Sequence, residues 1–246
     1  MTVTSYLRTI PLFGQLREND LEELGRVARP RDYPKNALIV SGHDPLDTFY
    51  VIVSGQVKSM LIAEDGREVI LSIRQAGEFF GEMALFEADA PATTVIAMED
   101  SRLLTLRRED LYRIVMAMPG VALGLLRSLC NRLQEADHKI GGLILLDVPG
   151  RVCHLLLQLA DQGDGVHIPK PPTHQLIGQM VGSTRESVSR ALGDLVGQGV
   201  ISVAHRGITL ENREALELAA GHPRRAATAH SSTDFAGMND RRRSGP

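Results

Sequence analysis

The stretch from Thr173 to Leu192, THQLIGQMVGSTRESVSRAL, constrains the fold more than any other part of the chain. Thr173 can N-cap a helix carried by Gln175 to Val181. Gly178 is small enough for a second helix to cross closely, and Gly182 supplies the permissive backbone of a tight turn. Ser183 or Thr184 can cap the helix that follows. At about 100° per residue, Arg185, Glu186, Ser189 and Arg190 fall within a roughly 140° arc of that helix, and Val188, Ala191 and Leu195 lie nearly opposite. The spacing therefore predicts a helix-turn-helix whose second helix buries one face and offers the other. Two guanidiniums and a carboxylate near a helix N-terminus suit base edges in a major groove. An arginine fork matches guanine O6 and N7, and a glutamate accepts from cytosine N4. A solvated helix with an i, i+4 Glu186–Arg190 pair shares this composition, but it has no need of the glycine and small-residue spacing.

With 246 residues, 43% of them hydrophobic, the chain can bury one large core or two ordinary ones. A formal net charge of −3 excludes a globally basic nucleic-acid coat, so a DNA binder must concentrate its positive charge locally. Cys130 and Cys153 make neither a disulfide framework nor a metal cluster, which points to a reducing cytosol and no metal. The N-terminus does not read as a signal peptide, and the apolar runs are short of a membrane span. A soluble, cytoplasmic protein without membrane attachment is the expectation.

Taken in order, residues 1 to 30 read as short helices. Leu7, Ile10, Leu12 and Phe13 come first; Asn19-Asp20 then caps a helix carrying Leu21, Leu24 and Val27. From Tyr33 to Leu106 short β-rich segments follow one another: Ala37–Val40, Phe49–Val53, Val57–Ile62, Val69–Ile73, Thr93–Ala97 and Leu103–Leu106. Glycine-rich turns punctuate them, as in an antiparallel barrel or roll. One insertion breaks this rhythm, Gly77-Glu78-Phe79-Phe80-Gly81-Glu82-Met83-Ala84-Leu85-Phe86. Gly81 lets the backbone turn and Glu82 to Leu85 can form one helical turn. The free amides of such a turn cradle an anion, and Glu82 can accept from a sugar hydroxyl. A plain β-to-helix corner accounts for the same residues.

From Arg108 to about Asp147 the pattern is helical. Leu126, Leu129, Leu133, Ala136, Ile140 and Leu143 step by three and four as an a/d seam, flanked by Arg127, Arg132, Glu135 and Lys139. A second copy of the same helix is the economical partner, and two-fold symmetry then presents two recognition helices to successive major grooves. Packing on the chain's own roll is the alternative. Asp147-Val148-Pro149-Gly150 reads as a hinge. Beyond it, Val152, Leu155, Leu156 and Leu159 build a helix. The helix-turn-helix follows, and then a hairpin from Val200-Val203 to Ile208-Leu210 with Arg206 at its tip, which makes the unit winged. The expected domains are thus 1–118, a sensor roll with N-terminal helices; 119–147, a dimerisation helix; 148–220, a winged helix-turn-helix; and 221–246, a disordered tail. The fold class is α+β.

In this order, the roll, long helix and winged helix-turn-helix resemble the CRP/FNR family of bacterial transcription regulators, over roughly residues 5 to 212. Gly81 to Phe86 resembles the family's phosphate-binding cassette, Leu146-Asp147-Val148-Pro149-Gly150-Arg151 its hinge, and Ile177 to Arg190 the recognition segment of its cyclic-AMP-responsive members. The resemblance implies a cyclic-nucleotide-binding-like roll, a double-stranded β-helix. It also implies that Arg185 and Arg190 hold guanines of a TGTGA-like half-site, with Glu186 on the opposite cytosine and Thr184, Ser189 and Arg206 beside them. Double-stranded DNA, a second copy of the chain and RNA polymerase are the implied partners. Ligand binding in the family reorients the DNA domains about the hinge.

The departures concern the effector. An Arg–Ser pair ten residues after the cassette glutamate neutralises a cyclic phosphate in the cyclic-AMP members. Here the positions are Ala92-Thr93. Amides and the Thr93 or Thr94 hydroxyls remain, without the charge-assisted pair. The Thr–Ser pair that meets adenine from the long helix is replaced by Ala136-Asp137. Both changes weigh against cyclic AMP. Cyclic di-GMP, an unrelated small molecule and no ligand at all remain as readings. Asp137 and the exposed arginines, Arg132 among them, suit the guanines and phosphates of cyclic di-GMP. Gly81, Glu82, Met83, Ala84 and Leu85 complete the expected effector set.

An iron–sulfur sensor needs N-terminal cysteines, absent from residues 1 to 30. His43 and His138 are the candidate haem ligands, with solvated positions the simpler account, and a redox role for Cys130 or Cys153 competes with plain packing. A ligand-binding module with no DNA role does not require the recognition segment. An enzyme needs a nucleophile–base pair or metal spacing that the residues do not offer.

Overall fold

The computed structural model describes residues 3–14, 16–42, 47–85, 93–204 and 207–221. His43, Phe86, Ala92, Arg206 and the expected tail from residue 222 lie outside the described residues. Helices α1 (Val3–Thr9) and α2 (Glu18–Val27) open the chain. The cap expected at Asn19-Asp20 is displaced: α2 begins at Glu18 behind Arg17. Asp20 lies inside the first turn, where it accepts from Arg17 Nε at 3.0 Å and faces the positive helix end.

Eight strands follow among the described residues: β1 (Arg29–Tyr33), β2 (Leu38–Val40), β3 (Thr48–Ser54), β4 (Gln56–Ile62), β5 (Glu68–Gln75), β6 (Phe79–Phe80), β7 (Thr94–Ala97) and β8 (Ser101–Arg107). They form two four-stranded antiparallel sheets, ordered β1-β8-β3-β6 and β2-β7-β4-β5. Val40, Val57 and Val95 from one sheet meet Ile52, Phe80 and Leu103 from the other, so the sheets face each other across a shared core. The opposite face of the first sheet is also buried. Phe49, Val51, Leu104 and Leu106 pack there on Leu7, Phe13, Leu21 and Leu24 of the N-terminal segment. Burial on both faces explains the near-continuous apolar runs of β3 and β8. Strands β1 and β6 escape the periodicity for opposite reasons: Arg29–Tyr33 is a polar edge strand, and Phe79–Phe80 is only two residues long.

Helix α3 (Arg108–Ala117) returns over the roll, and α4 (Pro119–Leu145) runs 27 residues, roughly 40 Å at the α-helical rise. The expected hinge narrows to its first residues. Asp147 is the N-cap of α5 (Val148–Asp161), accepting from Gly150 N at 2.9 Å, so Val148-Pro149-Gly150 is the first turn of a helix and the break falls at Leu146-Asp147. Arg151 laces this break by donating from Nη1 to Leu146 O and from Nε to Val181 O.

The C-terminal unit comprises α5, β9 (His167–Ile168), α6 (His174–Val181), α7 (Arg185–Gly197), β10 (Ile201–Ala204), β11 (Gly207–Leu210) and α8 (Arg213–Ala219). The hairpin gains a third strand in the order β10-β11-β9. This unit has its own core, centred on Val152, Leu156, Val188 and Leu216.

Candidate functional site

Two regions carry the residues singled out in the sequence. In the first, α6 starts at Thr173, whose hydroxyl accepts from Leu176 N at 3.2 Å, and Gly182 closes it in the left-handed conformation. Gly178 permits the crossing by which α7 approaches: a Cβ there would sit 2.8 Å from Ser183 O and 3.3 Å from Thr184 C. Thr184 caps α7, accepting from Ser187 N at 3.2 Å. Val188, Ala191, Leu192 and Leu195 are buried, while Arg185, Glu186 and Arg190 are exposed on the other side. Arg185 occupies the first position of α7, where a cation opposes the helix dipole, so its placement does nothing for the helix itself. Glu186, in the same turn, is favourably placed.

Two of the expected residues are engaged within the protein. Ser189 is half-buried and its hydroxyl lies 2.7 Å from His174 Nδ1, a bond that ties α7 to α6. The Thr184 hydroxyl serves the cap and also bonds Ser187 Oγ at 3.2 Å. The Thr184 cap follows from its place before the helix, whereas the Ser189 bond is not legible in the sequence, because His174 lies 15 residues from its partner.

The second region surrounds Glu82. Strand β6 ends at Phe80, stacked on Tyr50 with ring centroids 4.7 Å apart. The chain then turns at Gly81 (φ 83°), where a Cβ would lie 2.5 Å from Thr48 O, and only glycine fits. Glu82 to Leu85 form one 3-10 turn, anchored by buried Leu85, with Met83 exposed. Arg132 reaches this turn from α4. Its Nη1 donates to Glu82 Oε1 at 2.5 Å, its Nη2 donates to Phe79 O at 2.5 Å, and its guanidinium lies 4.5 Å from the Phe79 ring centroid. Both charged side chains are about 85% buried, yet Glu82 Oε2 has no hydrogen-bond partner among the described residues. The structure thus brings Gly81, Glu82 and Arg132 together. Thr93 and Thr94 are half-buried at the start of β7, and Asp137 is exposed on α4.

Two cations not singled out for this site, Arg74 and Lys139, stand close to it. Arg74 on β5 pairs with Glu78 at 3.3 Å, and burial pushes its guanidinium below the ordinary arginine range, as does nearby Arg132, against the pull of Glu78 and Glu82. Lys139 on α4 donates to Leu71 O at 2.6 Å; burial lowers it too, Glu135 opposing and Arg74 adding. An arginine sharing a strand face with core residues is the signal that could have found Arg74. The apolar run of that strand ends at Ile73, just before it. A shallow groove near α1, lined by Tyr6, Thr9, Ile52 and Gly77, contains none of these charges.

The long helix exposes its seam. Leu126, Leu133, Ile140 and Leu143 are each more than half exposed, Ala136 is exposed and Leu129 half-buried. Beyond them, Ile144 and Leu145 are 75% and 81% exposed. The winged unit touches the roll as well: α6 packs along β5, and Gln179 Nε2 donates to Glu68 Oε2 at 2.6 Å.

Cys153 is buried, and that burial pushes its thiol up to about 11; Cys130 is exposed on α4, as is His138. Among the described residues no cluster of His, Cys, Asp and Glu is placed to hold a metal ion, and no single helix is long and apolar enough to cross a membrane.

Comparison with known proteins matches residues 30–118 to the cyclic nucleotide-binding domain and residues 150–219 to the Crp-like helix-turn-helix domain. The chain is 30% identical over 210 residues to the CRP-like cAMP-activated global transcriptional regulator of Mycobacterium tuberculosis, covering 83% of this chain and 94% of that one. It is 33% identical over 183 residues to the cAMP-activated global transcriptional regulator CRP of Salmonella typhimurium, covering 72% and 87%. Among solved structures, the c-di-GMP responsive global regulator CLP of Xanthomonas campestris matches with a TM-score of 0.69 at 25% identity, covering 79% of this chain and 99% of that one.

Proposed function

The chain belongs to the CRP/FNR family of DNA-binding transcription regulators, and on that premise we propose that it binds a TGTGA-like palindrome as a homodimer under the control of an anionic effector held at the roll and the long helix. The observation that carries the DNA half of this reading is the division of α7. Its apolar side is fully buried, whereas Arg185, Glu186 and Arg190 are free to meet base edges. Arg185 and Arg190 take guanines, Glu186 the paired cytosine, and Arg206 the backbone beside the wing. The uncovered seam of α4 supports the dimer: each leucine or isoleucine buried there gains roughly 1.5–3 kcal/mol. The units act as a sensor roll over residues 1–118, a dimerisation helix over 119–147 and a winged reader over 148–220. RNA polymerase is the downstream partner, in the cytoplasm.

The effector is a nucleotide such as cyclic di-GMP, with cyclic AMP disfavoured by Ala92 and Asp137. The CLP protein, described as responsive to cyclic di-GMP, is a structural relative and supports that choice.

Fluorescence polarisation on a TGTGA–N6–TCACA duplex at fixed salt, without ligand, with cyclic AMP and with cyclic di-GMP, tests both halves. A change in affinity with one nucleotide identifies the effector and its sign. Tight binding indifferent to both makes the protein a constitutive regulator or one that answers to a different signal. Equal affinity for a scrambled duplex removes the sequence-specific reading.

A further inference from the structure

The cassette positions Ala92-Thr93 offer no guanidinium to an anion, yet the region around Glu82 is rich in cations. Arg132 is committed: it holds Glu82 and the Phe79 carbonyl and covers the Phe79 ring. Lys139 is held on Leu71 O. Arg74 is different. It lies directly opposite Val57 in the β4–β5 ladder, and Val57 packs in the core between the two sheets. Residues paired across a ladder share a face, so Arg74 extends from the inner face of the roll. Ser72, on the same face, stands opposite buried Ser59. The Arg74 side chain is only 12% exposed, but its ion pair with Glu78 is a single contact at 3.3 Å. Glu78 is 39% exposed, and its other oxygen accepts from Gln75 N at 2.8 Å. A guanidinium has five N–H donors in a fork that suits a phosphate. Among the described residues, one long contact with a solvent-reachable carboxylate is all that engages this fork.

We propose that Arg74 is the counter-charge of the effector's phosphate: the phosphate displaces Glu78 from Arg74, while a hydroxyl of the same ligand donates to Glu82 Oε2. The inference rests on the reading of this region as the effector site, and names the charged residue that reading lacks. The exchange replaces one anion by another on Arg74, and the released Glu78, 39% exposed and still accepting from Gln75 N, passes its free oxygen to water rather than staying buried without a partner. Glu82 Oε2, buried and unpartnered among the described residues, supplies the second anchor. The ligand class is therefore a phosphate ester with a neighbouring hydroxyl.

Isothermal titration of the full chain with cyclic di-GMP and cyclic AMP, each compared with guanosine and adenosine, measures how much affinity the phosphate contributes. In Arg74→Leu that preference for nucleotide over nucleoside falls at least tenfold, and Arg74→Lys, which keeps the charge without the fork, retains part of it. Should Arg74→Leu melt early, Arg74→Gln carries the same test. A variant that melts like the wild type and keeps the full nucleotide preference overturns the role of Arg74 and leaves the effector reading standing. A wild-type chain that binds neither nucleotide nor inorganic phosphate at millimolar concentration overturns both.

Discussion

The reading helix and the cassette are both candidate contact regions, but they are built on different length scales. Around α7, the cap, the crossing glycine, the turn and the exposed arginines all fall between Thr173 and Arg190. Around Glu82, the charge that matters arrives from α4, 50 residues along the chain, and a further cation arrives from β5. A site made from one continuous stretch inherits its geometry from helix and turn rules alone. A site made from distant elements exists only once the sheets and the long helix have packed, and damage to one element exposes the others.

The largest effect should come from breaking the distant pair. Arg132→Met leaves the Glu82 carboxylate buried without its cation, a loss of about 3–5 kcal/mol for a pair this enclosed. All four tyrosines, Tyr6, Tyr33, Tyr50 and Tyr112, precede the long helix, and the chain has no tryptophan, so tyrosine fluorescence follows the roll and not the winged unit. An early tyrosine melt, largely restored in Glu82→Gln/Arg132→Met, is the expected result. A wild-type melt for the single variant would mean that the roll does not depend on this pair.

The matching break in the local site is Gly178→Val, which forces a Cβ against Ser183 O and Thr184 C. Overpacking of this kind costs about 1–3 kcal/mol. The winged unit has its own core, so DNA binding should fall while the tyrosine melt stays in place. A tyrosine melt that moves in parallel would show the two units to be one cooperative body, and the α6–β5 contact, with its Gln179–Glu68 hydrogen bond, is where such coupling would pass.

The same contrast decides what could be read from the sequence. The reading helix was legible because each device is a residue type at a fixed offset: Thr173, Gly178, Gly182, Thr184 and the buried Val188, Ala191 and Leu195 stand in the roles their spacing predicts. Six strands were legible from short apolar runs, and α4 from its seam. What escaped depends on partners. Asp147 reads as a loop residue until Gly150 N is seen to need a cap, which narrows the break to Leu146-Asp147. Ser189 looks free to meet a base until His174 is found against it. Arg74 has no meaning in its own stretch. Register across the β4–β5 ladder gives it an address, and ending the strand two residues early, at Ile73 instead of Gln75, hides it.

Arg185→Ala sharpens the comparison at the level of function rather than folding. Its exposure makes it dispensable to stability, so tyrosine and helical melts should both match the wild type. Affinity for the TGTGA duplex should weaken by about 1–3 kcal/mol, with discrimination relaxed at a single guanine. An equal loss on scrambled DNA would assign Arg185 to phosphate and leave specificity with Glu186 and Arg190.

The smallest expected effect isolates one local device. Asp164, fully exposed in the turn before β9, accepts from His167 N at 2.6 Å and Val166 N at 2.9 Å, and these two amides hold its carboxyl below the usual carboxylate range. A carboxyl whose folded-state pKa lies below its unfolded value adds stability at neutral pH. That contribution is lost as pH falls through the folded-state value. The Val166 and His167 amide resonances should therefore titrate together with a midpoint below the ordinary carboxylate value of about 3.9. Asp164→Asn should abolish that step without moving the tyrosine melt of the roll. A midpoint at or above the ordinary value would remove Asp164 as a stabilising cap. A step shared by resonances of the roll would show that even this short-range device reports on the whole molecule, and the two length scales would no longer be separable.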